Sequence, residues 1–189
     1  MRFALALASE ALKQNAERDE VRLSTARAPA RTLVWMIEKI RMLPAVEARA
    51  LDGTEYRLPS ELGGERNLIA VAFERNHQDD VDSWLGDFAE LEDQHPGLFT
   101  YEMPTISRRW GPVRGFIDGG MTAAIPDPKT RARTITSYTD VNRVRDSLGL
   151  PDTSEIAVIV CDRNGVVSWL ARGKRSDDAA GELRAALAD

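Results

Sequence analysis

The sequence predicts an α/β fold: a mixed sheet flanked by helices, with an extra helical arm at the N-terminus. Three observations predict it. The runs Leu68–Phe73 and Ile156–Cys161 are uniformly apolar, as strands are when both faces are covered. Amphipathic helical patterns alternate with strand patterns, which implies parallel pairing and right-handed crossovers. Asp52-Gly53 and Asn164-Gly165 each sit between short strand-like segments, where they turn antiparallel hairpins and make the sheet mixed.

With 189 residues, 43% hydrophobic and 29% charged, the chain can bury a core without cross-links. Its single cysteine, Cys161, has no internal disulfide partner, and no Cys/His group has zinc-site spacing. No cofactor or metal is expected. No apolar run reaches the ~18 residues of a membrane span. A net charge of −5 without a basic stripe excludes nucleic acid as a partner. The acid excess falls between residues 51 and 100, in Asp79, Asp80, Asp82, Asp87, Glu90, Glu92 and Asp93, and reads as a solvated helix face. The short N-terminal apolar stretch does not make a secretory signal, so a cytoplasmic location is expected.

Residues 1–45 read as a helical arm. Leu5, Ala8, Leu12 and Ala16 recur at helical spacing; Leu33, Val34, Ile37 and Ile40 form a second face that Pro44 stops. The arm packs on its own domain or makes a homodimer, or else grips a partner or a membrane surface. Residues 46–189 form the main domain. Val46–Leu51 and Thr54–Leu58 make a hairpin through a type I′ turn at Asp52-Gly53. A helix follows the first apolar strand, starting at Asn76 or Gln78, with Val81, Trp84, Leu85, Phe88 and Leu91 facing the core. Leu98–Met103 is the next strand, closed by Pro104, and residues 105–112 are a loop. Val113–Ile125 reads as a helix although Gly119-Gly120 weaken it, and the glycines suggest close approach to a neighbouring strand or to a ligand. Arg133–Tyr138 is a strand, with Arg131 and Arg133 at its edge. Asp140 caps a helix that Gly149 ends. Val166–Leu170 returns after Ile156–Cys161, and Ser176-Asp177-Asp178 cap a last helix facing inward through Leu183 and Leu187.

The stretch Leu51-Asp52-Gly53, Leu58 through Gly64, then Leu68–Phe73 resembles the opening of thioredoxin-like proteins of the TlpA and peroxiredoxin type. The later run Leu148-Gly149-Leu150, Ile156–Cys161 and Asp162 through Trp169 resembles the same family's ending. The spacing around Phe73, Trp84 and Phe88, and the pattern from Leu148 to Trp169, are also similar to the ATP synthase F0-assembly branch of that family. The resemblance covers about residues 46–188 and implies a thioredoxin-like fold. It also implies where redox chemistry should sit: a Cys-x-x-Cys at the N-terminus of the helix after the central strand. Counting from Phe73, those cysteines fall on Gln78 and Val81. The family's cis-proline should fall near Glu155–Ala157, where the nearest proline is Pro151. Cys161, inside an apolar strand, is an inert core thiol. Thiol–disulfide or peroxidase chemistry is therefore not expected.

Two surfaces remain as candidates. Arg75, Asn76, His77 and Gln78 occupy the loop at the carboxyl end of the central strand, where open α/β sheets bind ligands. There His77 reads as an exposed or capping residue, or as a proton-transfer group. Arg108, Arg109 and Trp110 have the composition of an interface anchor, or could fork onto an anion; otherwise the arginines pair with the acidic helix. The first function they support is a non-redox binding or assembly module with a protein or membrane-complex partner. The second is a cofactor-independent enzyme with His77 as acid/base, an arginine-held anionic substrate and a deep pocket joining them.

Overall fold

The computed structural model of the protein describes residues 40–188. The helical patterns placed on residues 1–39 lie outside the described residues. From Arg41 onward the chain is one compact unit.

Seven strands make one sheet: β1 (Val46–Ala50), β2 (Glu55–Leu58), β3 (Arg66–Ala72), β4 (Leu98–Ser107), β5 (Ile135–Thr139), β6 (Ala157–Asp162) and β7 (Val167–Arg172). Their order is β2-β1-β5-β4-β3-β6-β7. The pairs β3–β4 and β4–β5 are parallel, as strands joined by helical crossovers must be, while β1–β5, β3–β6 and both hairpins are antiparallel. The helices are α1 (Gln78–Gln94), α2 (Arg114–Ala124), α3 (Pro128–Arg133), α4 (Val141–Ser147) and α5 (Asp177–Ala188).

The period-2 alternation of the central strands divides the core in two. Leu68 and Ala70 of β3, with Val158 and Val160 of β6, face Trp84, Phe88 and Leu91 of α1 and Leu183 and Leu187 of α5. Ile69, Val71, Ala157, Ile159 and Cys161 face the other way, onto the β1–β2 hairpin and onto Val144 and Leu148 at α4. Each of the valine, leucine, isoleucine and phenylalanine side chains among them contributes about 1.5–3 kcal/mol by leaving water. Hence β3 and β6 must be apolar on both faces, which is the pattern their sequences show.

Several expectations need correction. The hairpin loop is not type I′: only Gly53 has positive φ, at 100°, and Asp52 does not. Gly53 N–H donates to Ala50 C=O at 2.9 Å and Ala50 N–H to Thr54 C=O at 2.8 Å, a three-residue loop with glycine in the left-handed position. Pro104 does not close β4. It lies opposite Ala72, the last residue of β3, and β4 continues to Ser107 by pairing with β5. Leu85 is exposed, whereas Asp87 is buried on the inner side of α1. Asp87 is buried between Arg175, at 2.7 Å, and Arg184, at 2.6 Å, so it is not part of a solvated face. Glu92 pairs with Arg133, which ends α3 and is not at a sheet edge, because β5 lies inside the sheet between β1 and β4. Arg131 donates to the carbonyls of Ile125 and Thr122, tying down the end of α2.

Near the start, Ile40 is not helical, so the second arm helix does not run to Pro44. Met42 bridges Val166, Leu43 N–H donates to Gly165 C=O at 2.8 Å, and the Leu43 side chain joins the core. Gly165 is held at φ 84°, and a Cβ there would meet the Leu43 carbonyl at 2.6 Å, so this crossing requires glycine.

Candidate functional site

The parallel strands β3, β4 and β5 end on one side of the sheet, and the loops that follow them carry the predicted residues. After β3, a 3-10 turn (Arg75–His77) leads directly into α1 at Gln78. After β4, a second 3-10 turn (Arg108–Val113) leads into α2. β4 extends three residues past the β3 pairing, from Pro104 to Ser107, so its loop starts about 10 Å farther out. The structure thus brings both candidate segments to one edge but sets them at different heights.

At the first segment Arg75, Asn76 and Gln78 are exposed, and Gln78 folds back onto Asp82 at 2.7 Å. His77 is not exposed; it is only 2% accessible. Its Nδ1 accepts from the backbone N–H of Phe73 at 3.3 Å and of Glu74 at 3.4 Å. Its Nε2 lies 3.2 Å from the Ser154 carbonyl, to which it donates as the neutral tautomer. The ring stitches the end of β3 to the loop before β6. With both nitrogens committed to backbone, it offers no lone pair or proton to a substrate, and the acid/base role expected for it has no free atom.

The positions where the resemblance places a Cys-x-x-Cys are Gln78, in the first turn of α1, and Val81, buried in the core. Cys161 is buried in β6; burial and the adjacent Asp162 carboxylate push its thiol up to about 12. Near neutral pH the thiol stays protonated. Iodoacetamide should therefore leave Cys161 unmodified in the native protein and alkylate it readily in urea, as intact-mass measurement would show. Native-state alkylation would mean that the thiol is reachable. The only cis peptide among the described residues is Leu58-Pro59, not one at Glu155–Ala157.

At the second segment Arg108, Arg109 and Trp110 are all exposed. The Arg109 guanidinium carbon lies 5.8 Å from the Trp110 ring centre, a cation–π stack. Arg108 approaches Asp140, at 3.9 Å, rather than the acidic helix. A pair this long and this wet contributes little. Gly119 and Gly120 meet no neighbouring strand: a Cβ at either would stand in open space.

Two features were not legible beforehand. Glu102, in β4, has its carboxyl pushed above the usual range by burial and then by the nearby Asp82 charge. A cavity of about 370 Å³ opens elsewhere, on the hairpin side of the sheet, lined by Arg49, Tyr56, Arg57, Arg114, Thr136 and Tyr138 among others. It includes neither His77 nor Arg108 nor Arg109, so it is not the pocket the enzyme reading required. Alternation along β1 and β2 could have marked Arg49 and Arg57 as sharing a face. Their convergence with Arg114, far along the chain, could not be read from spacing.

No family model and no curated protein matches the chain. Solved structures do. One is an Aquifex aeolicus VF5 protein provisionally assigned to electron transfer: 13% identity, TM-score 0.56, covering 78% of this chain and 90% of its own. The thioredoxin domain of a Bacteroides vulgatus thiol-disulfide oxidoreductase aligns at 20% identity and TM-score 0.52, covering 77% of this chain and 95% of its own. BsSco, of the Sco family of cytochrome c oxidase assembly proteins, aligns at 11% identity and TM-score 0.53, covering 79% and 95%. At these identities the likeness is one of fold. The chain has a thioredoxin-like fold.

Proposed function

We propose that this thioredoxin-like chain is a non-redox binding or assembly module that docks a protein partner on the carboxyl edge of its parallel strands. The observation that carries this reading is the chemistry of the α1 N-terminus. Gln78 and Val81 stand where a dithiol would be, and the one cysteine is buried in the core. An edge that retains the fold's binding position without its thiols can still recognise a ligand. Arg75, Asn76, Gln78, Arg108, Arg109 and Trp110 supply exposed hydrogen-bond donors and an aromatic anchor there. BsSco, of similar fold, belongs to a family of assembly proteins, which agrees with such a role. The buried, fully bonded His77 weighs against acid/base catalysis.

The test is affinity capture from lysate and detergent-solubilised membranes, with wild type beside a variant carrying Arg75→Ala, Gln78→Ala, Arg108→Ala and Trp110→Ala. All four side chains are exposed, so the two proteins should melt within about 1 kcal/mol of each other. A partner retained by wild type and lost by the variant is the expected result. Equal retention by both, or by neither, would overturn the assignment of this edge. His77 stays intact in this variant because it holds the loop.

A further inference from the structure

The segment from Arg108 to Ala124 contributes nothing to the buried core: neither the 3-10 turn nor α2 has a single buried residue. Three of its larger apolar side chains are exposed, Trp110 at 49%, Val113 at 46% and Phe116 at 87%. In α2, Phe116, Gly119, Gly120 and Ala123 fall at i, i+3, i+4 and i+7, one face of a helix. That face carries no polar side chain. Ile117, Asp118, Met121 and Thr122 are half-buried and turned toward the domain; Arg114, at the start of the helix, is exposed but lies off the Phe116 face.

The glycines sharpen the point. Three stand in eleven residues, Gly115, Gly119 and Gly120, none at a positive φ, and a Cβ at any of them would touch nothing. Glycine inside a helix is unfavourable relative to alanine, and nothing within the described residues requires it here.

Charge identifies the occupant. The chain as a whole is acidic, at −5, yet residues 108–126 hold three arginines and one acid. That acid, Asp118, is turned inward, accepting the Tyr138 hydroxyl at 2.8 Å. Arg108 and Arg109 stand exposed at the head of the segment, Arg109 stacked on Trp110. An exposed aromatic pair, an apolar helix face without polar interruption and cations at its rim are the elements of a helix that lies in a lipid–water interface. A second copy of the chain fits less well. An eleven-residue helix is about 16 Å long and offers on the order of 200 Å² on one face, against roughly 800 Å² per partner in a stable dimer.

We infer that the Arg108–Ala124 segment is an interfacial anchor that lays the α2 face and Trp110 into an anionic bilayer surface, with Arg108 and Arg109 at the headgroups. This goes beyond the protein-docking role above and does not depend on it, since lipid alone tests it. The full chain would be sedimented with phosphatidylcholine vesicles containing phosphatidylglycerol, and with phosphatidylcholine vesicles alone. Wild type should pellet with the anionic vesicles, weakly with the neutral ones, and less at high salt. A Trp110→Ser/Phe116→Ser variant should partition at least about tenfold more weakly, and Arg109→Glu should lose the anionic preference, both melting as wild type does. Wild type left in the supernatant, or the variants pelleting undiminished through some other part of the chain, would overturn the inference. So would light scattering that shows a dimer dissolved by Phe116→Ser, because the face would then cover a second copy.

Discussion

Trp84→Ala is expected to remove about 3–5 kcal/mol of stability, the largest loss of any single truncation considered for this chain. Trp84 is fully buried at the centre of the cluster between α1, α5 and one face of the sheet. Its ring meets Trp169 edge-on, with centroids 6.1 Å apart at 70°, an arrangement that adds to the area buried. Its Nε1–H donates to the Gly173 carbonyl at 3.1 Å, across 89 residues of sequence. Alanine leaves a cavity and an unpaired carbonyl together. Trp84→Phe fills most of the volume but still loses the hydrogen bond, so it should cost less than half as much. Chemical denaturation followed by circular dichroism would measure both. A loss under about 1 kcal/mol for the alanine variant would mean that α1 is not packed as described.

The second large effect is expected at His77, and its direction separates structure from catalysis. His77→Ala should cost about 2–4 kcal/mol, because it strands two backbone donors, at Phe73 and Glu74, and the Ser154 carbonyl in a buried place. Protein that remains folded should nevertheless still retain whatever partner the carboxyl edge captures, because the ring does not reach solvent. His77→Gln offers an acceptor of similar reach and should recover part of the stability. If His77→Ala melted like wild type while its binding or any activity vanished, the histidine would be a functional group after all. The stability measurement and the capture measurement therefore have to be read together.

The strand order along the chain and the helices other than α3, the carboxyl-edge position of the candidate loops and the absence of a thiol from the α1 N-terminus were legible in the sequence; Pro128–Arg133 read as a turn but is a helix. They rest on short-range physics. An apolar run of six residues cannot be solvated on either face, as Leu68–Phe73 illustrates. Gly149, at φ 66°, and Asp140, accepting from the Asn142 N–H, end and begin α4 through contacts only a few residues apart. Position relative to Phe73 needed only counting.

Tertiary structure decided what depends on residues far apart in the chain. His77 became a buried brace because Ser154 arrives beside it, 77 residues later. Asp87 left the solvated face because Arg175 and Arg184 converge on it. Pro104 could continue β4 because β5 takes over the pairing where β3 stops. The glycines of α2, expected to admit a neighbouring strand, face open space, which turned a packing expectation into an exposed apolar surface. Periodicity reports which side chains must leave water, and so it predicts strands, helices and their order. Which partner a buried polar group meets, and which apolar face goes uncovered, is settled only when separate elements come together, because those energies belong to pairs that no local pattern contains.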